Sequence, residues 1–146
     1  LYVTANVKPP GETGAVVVAR SDDLINWGEP AIAVRGQTAL ESPQVWKQAD
    51  TYWMTTSSIG ADTYSSRHPV KGWTRTAFPR PDIQAVEKYV GTSGAYAEEV
   101  VSLDDGTHLM AALTYRHYGN SIYFFRILTD VQGMPAGYET PFKLSW

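Results

Sequence analysis

Thr38-Ala39-Leu40-Glu41-Ser42-Pro43-Gln44-Val45-Trp46-Lys47-Gln48-Ala49-Asp50-Thr51-Tyr52-Trp53-Met54-Thr55-Thr56-Ser57-Ser58 is the stretch whose reading decides the fold. It reads as two short strands joined by a tight polar turn at Gln48 to Asp50. Pro43 has no backbone donor, so it suits the first residue of a strand, and it biases Ser42 toward extended geometry. That puts a lone carboxylate, Glu41, at the lip of a sheet, where a side chain can point into a cleft.

The hairpin recurs along the chain. Tyr52-Trp53-Met54 matches His108-Leu109-Met110 at an offset of 56, and Leu1-Tyr2-Val3-Thr4 fits the same slot 51 residues earlier. Independently, Ser21…Trp27 matches Arg67…Trp73 at an offset of 46. Repeats of about 40 to 50 residues, each with four short strands, indicate a β-propeller. A generic sandwich also spaces its strands evenly, but it need not repeat the Ser…Trp turn.

The remaining strands are expected at Leu1–Val7, Ala15–Ala19, Ala31–Val34, Gly60–Ser66, Thr74–Phe78 and Ser121–Leu128. Ala97–Leu103 and Thr107–Tyr115 form a hairpin around Asp104-Asp105-Gly106, a strong turn signal. Pro79 to Gly94 reads as a long connection, Gly133–Pro135 as the start of a loop and Phe142–Trp146 as a last strand. No stretch sustains a 3.6-residue period, so the chain is all-β. The repeats divide it into an incomplete blade at 1–37, lacking its innermost strand, a second blade at 38–80 and a third at 95–146. Three blades cannot close a ring, and an open array leaves strand edges unpaired. The expectation is a fragment whose remaining blades come from a longer chain or an associating subunit. The opening Leu1-Tyr2-Val3-Thr4, already strand-like, points the same way.

Composition narrows the function classes. The 146 residues are 43% hydrophobic and 18% charged with a net charge of -3, which describes an ordinary soluble globular protein. No basic run exists, which argues against nucleic acid and against an anionic membrane surface. There is no cysteine, so thiolate metal sites and disulfides are excluded and the compartment, cytoplasmic or secreted, stays open. His68, His108 and His117 show no metal-ligand spacing. Five Trp and nine Tyr are a high load. Aromatic side chains line sugar sites and also fill β cores. Trp27 and Trp73, which end the repeated turns, read as packing between blades.

Ser21-Asp22-Asp23-Leu24-Ile25-Asn26-Trp27 resembles the S-x-DL-x-x-W turn of five-bladed propeller glycoside hydrolases, families 43 and 32 and their relatives. In those enzymes the next blade opens with Glu-Gly-Pro or Glu-Cys-Pro, and a gyYyL-x-yS strand follows. Glu41-Ser42-Pro43 and Tyr52-Trp53-Met54-Thr55-Thr56-Ser57 occupy those slots here. Ser66 to Trp73 looks like the S-x-x-P-x-GW turn, and Tyr96-Ala97 loosely resembles a Tyr-Ala at the same place in family 32. The resemblance covers roughly residues 1–130, about half of such a catalytic domain.

The resemblance implies a partial five-bladed propeller acting on arabinosides, xylosides or fructosides, with Glu41 as the general acid that protonates the leaving oxygen. Glycosidases need two carboxylates, one protonated and one ionised. The aspartates that serve as partners in those families lie on blades before the Glu motif, and neither matches a position here. Asp22 and Asp23 sit in an outer turn, and Asp104 and Asp105 in a hairpin turn. Glu98 and Glu99 open the third unit's inner strand, but the offset of 56 assigns the slot of Glu41 to Ala97, so neither occupies it. Trp46 and Trp53 either stack on sugar or fill the core. Arg116 and His117, at the end of a strand, read as cleft-rim substrate contacts or as a solvated loop. No cofactor is implied, since no ligand set matches the axial calcium of some relatives. The alternative is a non-catalytic carbohydrate-binding or protein-interaction propeller that lacks the paired carboxylates.

Overall fold

The structure is a computed structural model that describes residues 1–5, 14–36, 40–56, 63–76, 95–114 and 121–139, with the backbone alone at 95–98, 112–114 and 121. Every described element is a strand, and none of the described residues forms a helix. The chain divides into two compact units, Leu1–Thr76 and Ala77–Trp146.

The first unit holds two sheets. β1 (Tyr2–Ala5), β2 (Gly14–Val18) and β3 (Ala31–Gly36) form a three-stranded antiparallel meander, and β4 (Gln44–Gln48), β5 (Thr51–Thr55), β6 (Thr63–Ser66) and β7 (Thr74–Arg75) a four-stranded one. The turn between β4 and β5 is two residues long, with Gln48 paired to Thr51 and a positive φ of 50° at Ala49. Turns of this length match the right-handed twist of the strands they join. The sheets meet through Val16, Val34, Leu40, Met54 and Tyr64, all buried, with Tyr2, Ala33, Val45 and Trp73 packed around them. Alternation explains the arrangement, because residues two apart share a face. Val45, Met54 and Tyr64 are directly opposite one another across β4, β5 and β6.

Trp73 packs as expected, edge-on to Tyr2 at 6.3 Å and 84°. Trp27 differs, for it is 42% exposed. Its turn is nevertheless tightly built. Asp23 accepts the backbone N–H groups of Ile25 and Asn26, and Ser21 Oγ accepts that of Leu24 at 2.8 Å. These donors hold the Asp23 carboxyl well below the usual carboxylate range. Leu24 takes a φ of 62° to make the reversal.

The second unit is one four-stranded sheet in which β8 (Ala95–Ser102), β9 (His108–Thr114), β10 (Ser121–Thr129) and β11 (Pro135–Tyr138) lie in sequence order. Met110, Tyr123, Phe125 and Ile127 are buried on one face. Phe125 meets Tyr138 edge-on at 6.0 Å. β11 corrects the expected loop at Gly133–Pro135. Its Pro-Ala-Gly-Tyr carries little strand propensity, but an edge strand tolerates Pro135 as its first residue. The chain reverses into it through Asp130 Oδ1, which accepts N–H from Gln132 and Met134 at 2.9 Å each, and Gly133 with φ 76°. The expected connection Pro79–Gly94 and strand Phe142–Trp146 lie outside the described residues.

At the β8–β9 turn, His108 is buried and its Nδ1 lies 2.8 Å from Ser102 Oγ. Burial pushes the imidazole below its ordinary pKa, so the folded protein favours the neutral ring.

Two outcomes follow from these cores. Met54→Ala is expected to cost about 2–5 kcal/mol in urea unfolding, whereas Val3→Ala, at a position 48% exposed, is expected to cost well under about 1 kcal/mol. Because the folded-state pKa of His108 is lowered, its contribution is fully present above the ordinary histidine pKa of about 6.5 and is lost as pH falls through that value toward the folded one. The urea midpoint should therefore drop on going from about pH 8 to about pH 5, and His108→Gln should flatten that part of the profile.

Candidate functional site

Glu41 stands three residues before β4, between two neighbours with opposite demands. Leu40 is 3% exposed and anchored in the core between the two sheets, while Glu41 itself is exposed. Ser42 has a φ of 44°, in the left-handed region, not the extended geometry that a residue before proline favours. A non-glycine residue there costs about 1–2 kcal/mol through its Cβ. The reversal lets Leu40 turn into the core while the chain still enters β4 at Gln44 in register with Thr55. Glu41 is thus fixed in a bend outside the strand, held from both sides.

Beyond the bend, the hairpin divides its residues by parity. Gln44, Trp46 and Gln48 share a face with Thr51, Trp53 and Thr55. Trp46 and Trp53 are a cross-strand pair with rings stacked at 6.5 Å and 24°. Each is 5% exposed, which leaves little ring surface for a sugar to cover. Trp46 Nε1 donates to Gln48 Oε1 at 3.4 Å. Thr55, opposite Gln44, is 5% exposed, and its hydroxyl has no hydrogen-bond partner among the described residues. Gln44 and Thr55 are the polar pair at the end of this hairpin that begins three residues after Glu41. Their signal is the alternation of polar and aromatic residues in Gln44-Val45-Trp46-Lys47-Gln48.

The hairpin sets Trp46 and Trp53 side by side on one buried face, and Glu41 lies exposed in the bend that precedes it. Arg116 and His117 lie outside the described residues. Asp22 is ion-paired with Arg20 at 2.8 Å on the surface, and Asp105 accepts the Thr107 N–H, which lowers its pKa. Among the described residues no group of three His, Cys, Asp or Glu is placed to hold a metal.

Strand register corrects the repeat slot of Glu41. Tyr52 and His108 are 56 apart, but their partners Lys47 and Ser102 are 55 apart, because the second turn is one residue longer. β8 then carries a bulge between Tyr96 and Glu99, which takes up one further residue. Counted through the bulge, Glu41 corresponds to Ala95, not Ala97. The slot is again an alanine, and neither Glu98 nor Glu99 fills it.

The bend at Ser42 is open to test. Ser42→Gly is expected to raise stability by up to about 1 kcal/mol, because glycine adopts a positive φ without the Cβ penalty. Ser42→Val, with a branched Cβ at a φ of 44°, is expected to lower it. Paired urea titrations measure both.

No family model matches the sequence, and no curated protein matches it. Solved structures do match its fold. An exo-1,5-α-L-arabinanase from a bovine ruminal metagenomic library is 18% identical, with a TM-score of 0.54 over 68% of this chain and 34% of that one. An endo-1,4-β-xylanase from Bacteroides thetaiotaomicron is 15% identical, with a TM-score of 0.64 over 89% of this chain and 52% of that one. The α-L-arabinanase of Cellvibrio cellulosa, solved with arabinohexaose, is 12% identical, with a TM-score of 0.58 over 88% of this chain and 50% of that one. The chain spans from 34% to 52% of the length of these structures. What the likeness shows is architecture: antiparallel propeller blades making up part of the propeller fold of these glycoside hydrolases.

Proposed function

We propose that this chain is the glutamate-bearing part of a glycoside hydrolase, built from blades at 1–37, 38–80 and 95–146, that cleaves O-glycosyl bonds of arabinoside, xyloside or fructoside type. Glu41 is its general acid. The observation that carries this reading is the setting of Glu41, an exposed carboxyl just before an inner strand, gripped between buried Leu40 and left-handed Ser42. Backbone outliers of this kind cluster at active sites. The fold likeness to two arabinanases and a xylanase favours pentose-containing substrates among the three classes.

In this reading the protonated Glu41 carboxyl gives its proton to the glycosidic oxygen as the bond to the anomeric carbon breaks, and then accepts a proton from water or serves as base. The second carboxylate, which attacks or activates water, comes from residues outside this sequence. Trp46 and Trp53 form the wall behind the inner hairpin, and Arg116 and His117 contact the sugar from the rim.

A second reading, a non-catalytic carbohydrate-binding or protein-interaction propeller, rests on one observation. The repeat slot that holds Glu41 in one blade holds alanine in the next, so these residues supply a single carboxylate where hydrolysis needs two.

Calorimetry and reducing-sugar release on the intact protein, with arabinan, xylan and their oligosaccharides, separate the two readings. Hydrolysis supports the first, and binding without release supports the second. For a hydrolase, Glu41→Gln should lower turnover on unactivated glycosides by about 10²–10⁴ while leaving binding intact. The loss should be much smaller on dinitrophenyl glycosides, whose leaving group needs no proton. Unchanged turnover on unactivated glycosides would remove Glu41 from the acid role.

A further inference from the structure

Among the described residues no hydrogen bond or ion pair reaches the Glu41 carboxyl. Asp23 and Asp105, by contrast, are each engaged by backbone N–H groups. A proton donor has to stand at one distance from one oxygen, and a misplacement of about 1 Å costs on the order of 10²-fold in rate. With no polar neighbour among these residues to aim it, the origin of the Glu41 side chain is set by the chain on either side.

Both flanks end in the same core. Leu40, 3% exposed, lies in the seam with Val16 and Val34 of the first sheet and Met54 and Tyr64 of the second. Val45 packs against that same cluster and stands opposite Met54. Residues 41–44 are thus a short span tethered at both ends to one set of side chains. The backbone inside the span is restricted as well. The Pro43 ring fixes its own φ, and Ser42 is held at a φ of 44°. A non-glycine residue stays in that region only when its surroundings over-determine it, and the two anchors do so. Consecutive Cα atoms are about 3.8 Å apart, so a shift of Leu40 in the seam carries the Glu41 backbone with it.

We infer that Leu40, Ser42 and Val45 are positioning residues for Glu41, and that the apolar seam between the two sheets sets the place from which the acid acts. The inference rests on the acid role proposed for Glu41 and adds the device that locates it. Leu40 and Val45 touch no substrate in this scheme; they act through the backbone of the residues between them. One core then has two duties, joining the sheets and placing the carboxyl.

The test measures kcat and KM of the intact protein on an unactivated oligosaccharide and on a dinitrophenyl glycoside. Glu41→Gln is the reference. Leu40→Ala is expected to lower kcat on the unactivated substrate by about 10–10²-fold with KM within about twofold, and to leave the dinitrophenyl rate nearly unchanged. Leu40→Met, which refills the seam, should restore most of the loss. Ser42→Gly accepts a positive φ and should keep turnover, whereas Ser42→Val should lose it on the unactivated substrate alone. Met110→Ala, at a side chain 1% exposed in the second unit, controls for lost stability and should show no dependence on the leaving group. Far-UV circular dichroism confirms folding at the assay temperature, and Val45→Ala replaces Leu40→Ala if the latter does not fold. A Glu41→Gln loss confined to the unactivated substrate, with Leu40→Ala and Ser42→Val both active as wild type, overturns the inference and leaves the acid role standing. A Leu40→Ala loss that is equal on both substrates also overturns it. Unchanged turnover in Glu41→Gln removes the acid role and the inference together.

Discussion

The structure depends on one constraint: a sheet that is apolar on both faces must be covered on both. Val16 and Val34 on one side and Met54 and Tyr64 on the other meet that demand between the two sheets of the first unit. At about 25 cal/mol per Å² of apolar surface removed from water, such a seam outweighs any single hydrogen bond in the molecule. The tight turns, the left-handed residues and the cross-strand register all serve to bring those side chains to one plane. Where no partner sheet is present, the same alternation leaves apolar residues facing water, as at Val3 and Ile32.

The bend at Glu41 is a product of that seam. Leu40 contributes to the core, and β4 must begin in register with β5, so the three residues between Leu40 and Gln44 have little freedom. Ser42 absorbs the mismatch with a positive φ. Glu41 lies exposed at that bend, one residue from buried Leu40. Asp23, exposed too, is engaged by backbone and side-chain donors that shape its turn.

Much of this was legible in the residues. The strands at Gln44–Gln48, Thr51–Thr55 and Ser121–Thr129 are β-branched and aromatic runs bounded by turn signals, and they form where that pattern places them. β11 was not legible, because an edge strand needs pairing on one side only and so tolerates a Pro and a Gly that a central strand would not. The left-handed Ser42 was hidden for another reason: serine before proline points the other way, and the packing of Leu40 overrides it. The burial of Trp46 and Trp53 was half legible, since period-two alternation fixes which face they share but not what covers it. The bulge in β8 left no mark in the sequence, and a repeat offset that ignores both it and the longer turn misses by two residues.

The strand order has a consequence for how the chain is made. Among the described residues every sheet is a simple meander in which each strand pairs with its neighbours in sequence. Hairpins of this kind close short loops, and short loops cost little entropy, so each sheet can zip up soon after its last strand leaves the ribosome. Speed of pairing brings a hazard with it. A newly formed sheet waits with one oily face bare until the following sheet emerges, and during that interval it is as ready to join a stranger as its own successor.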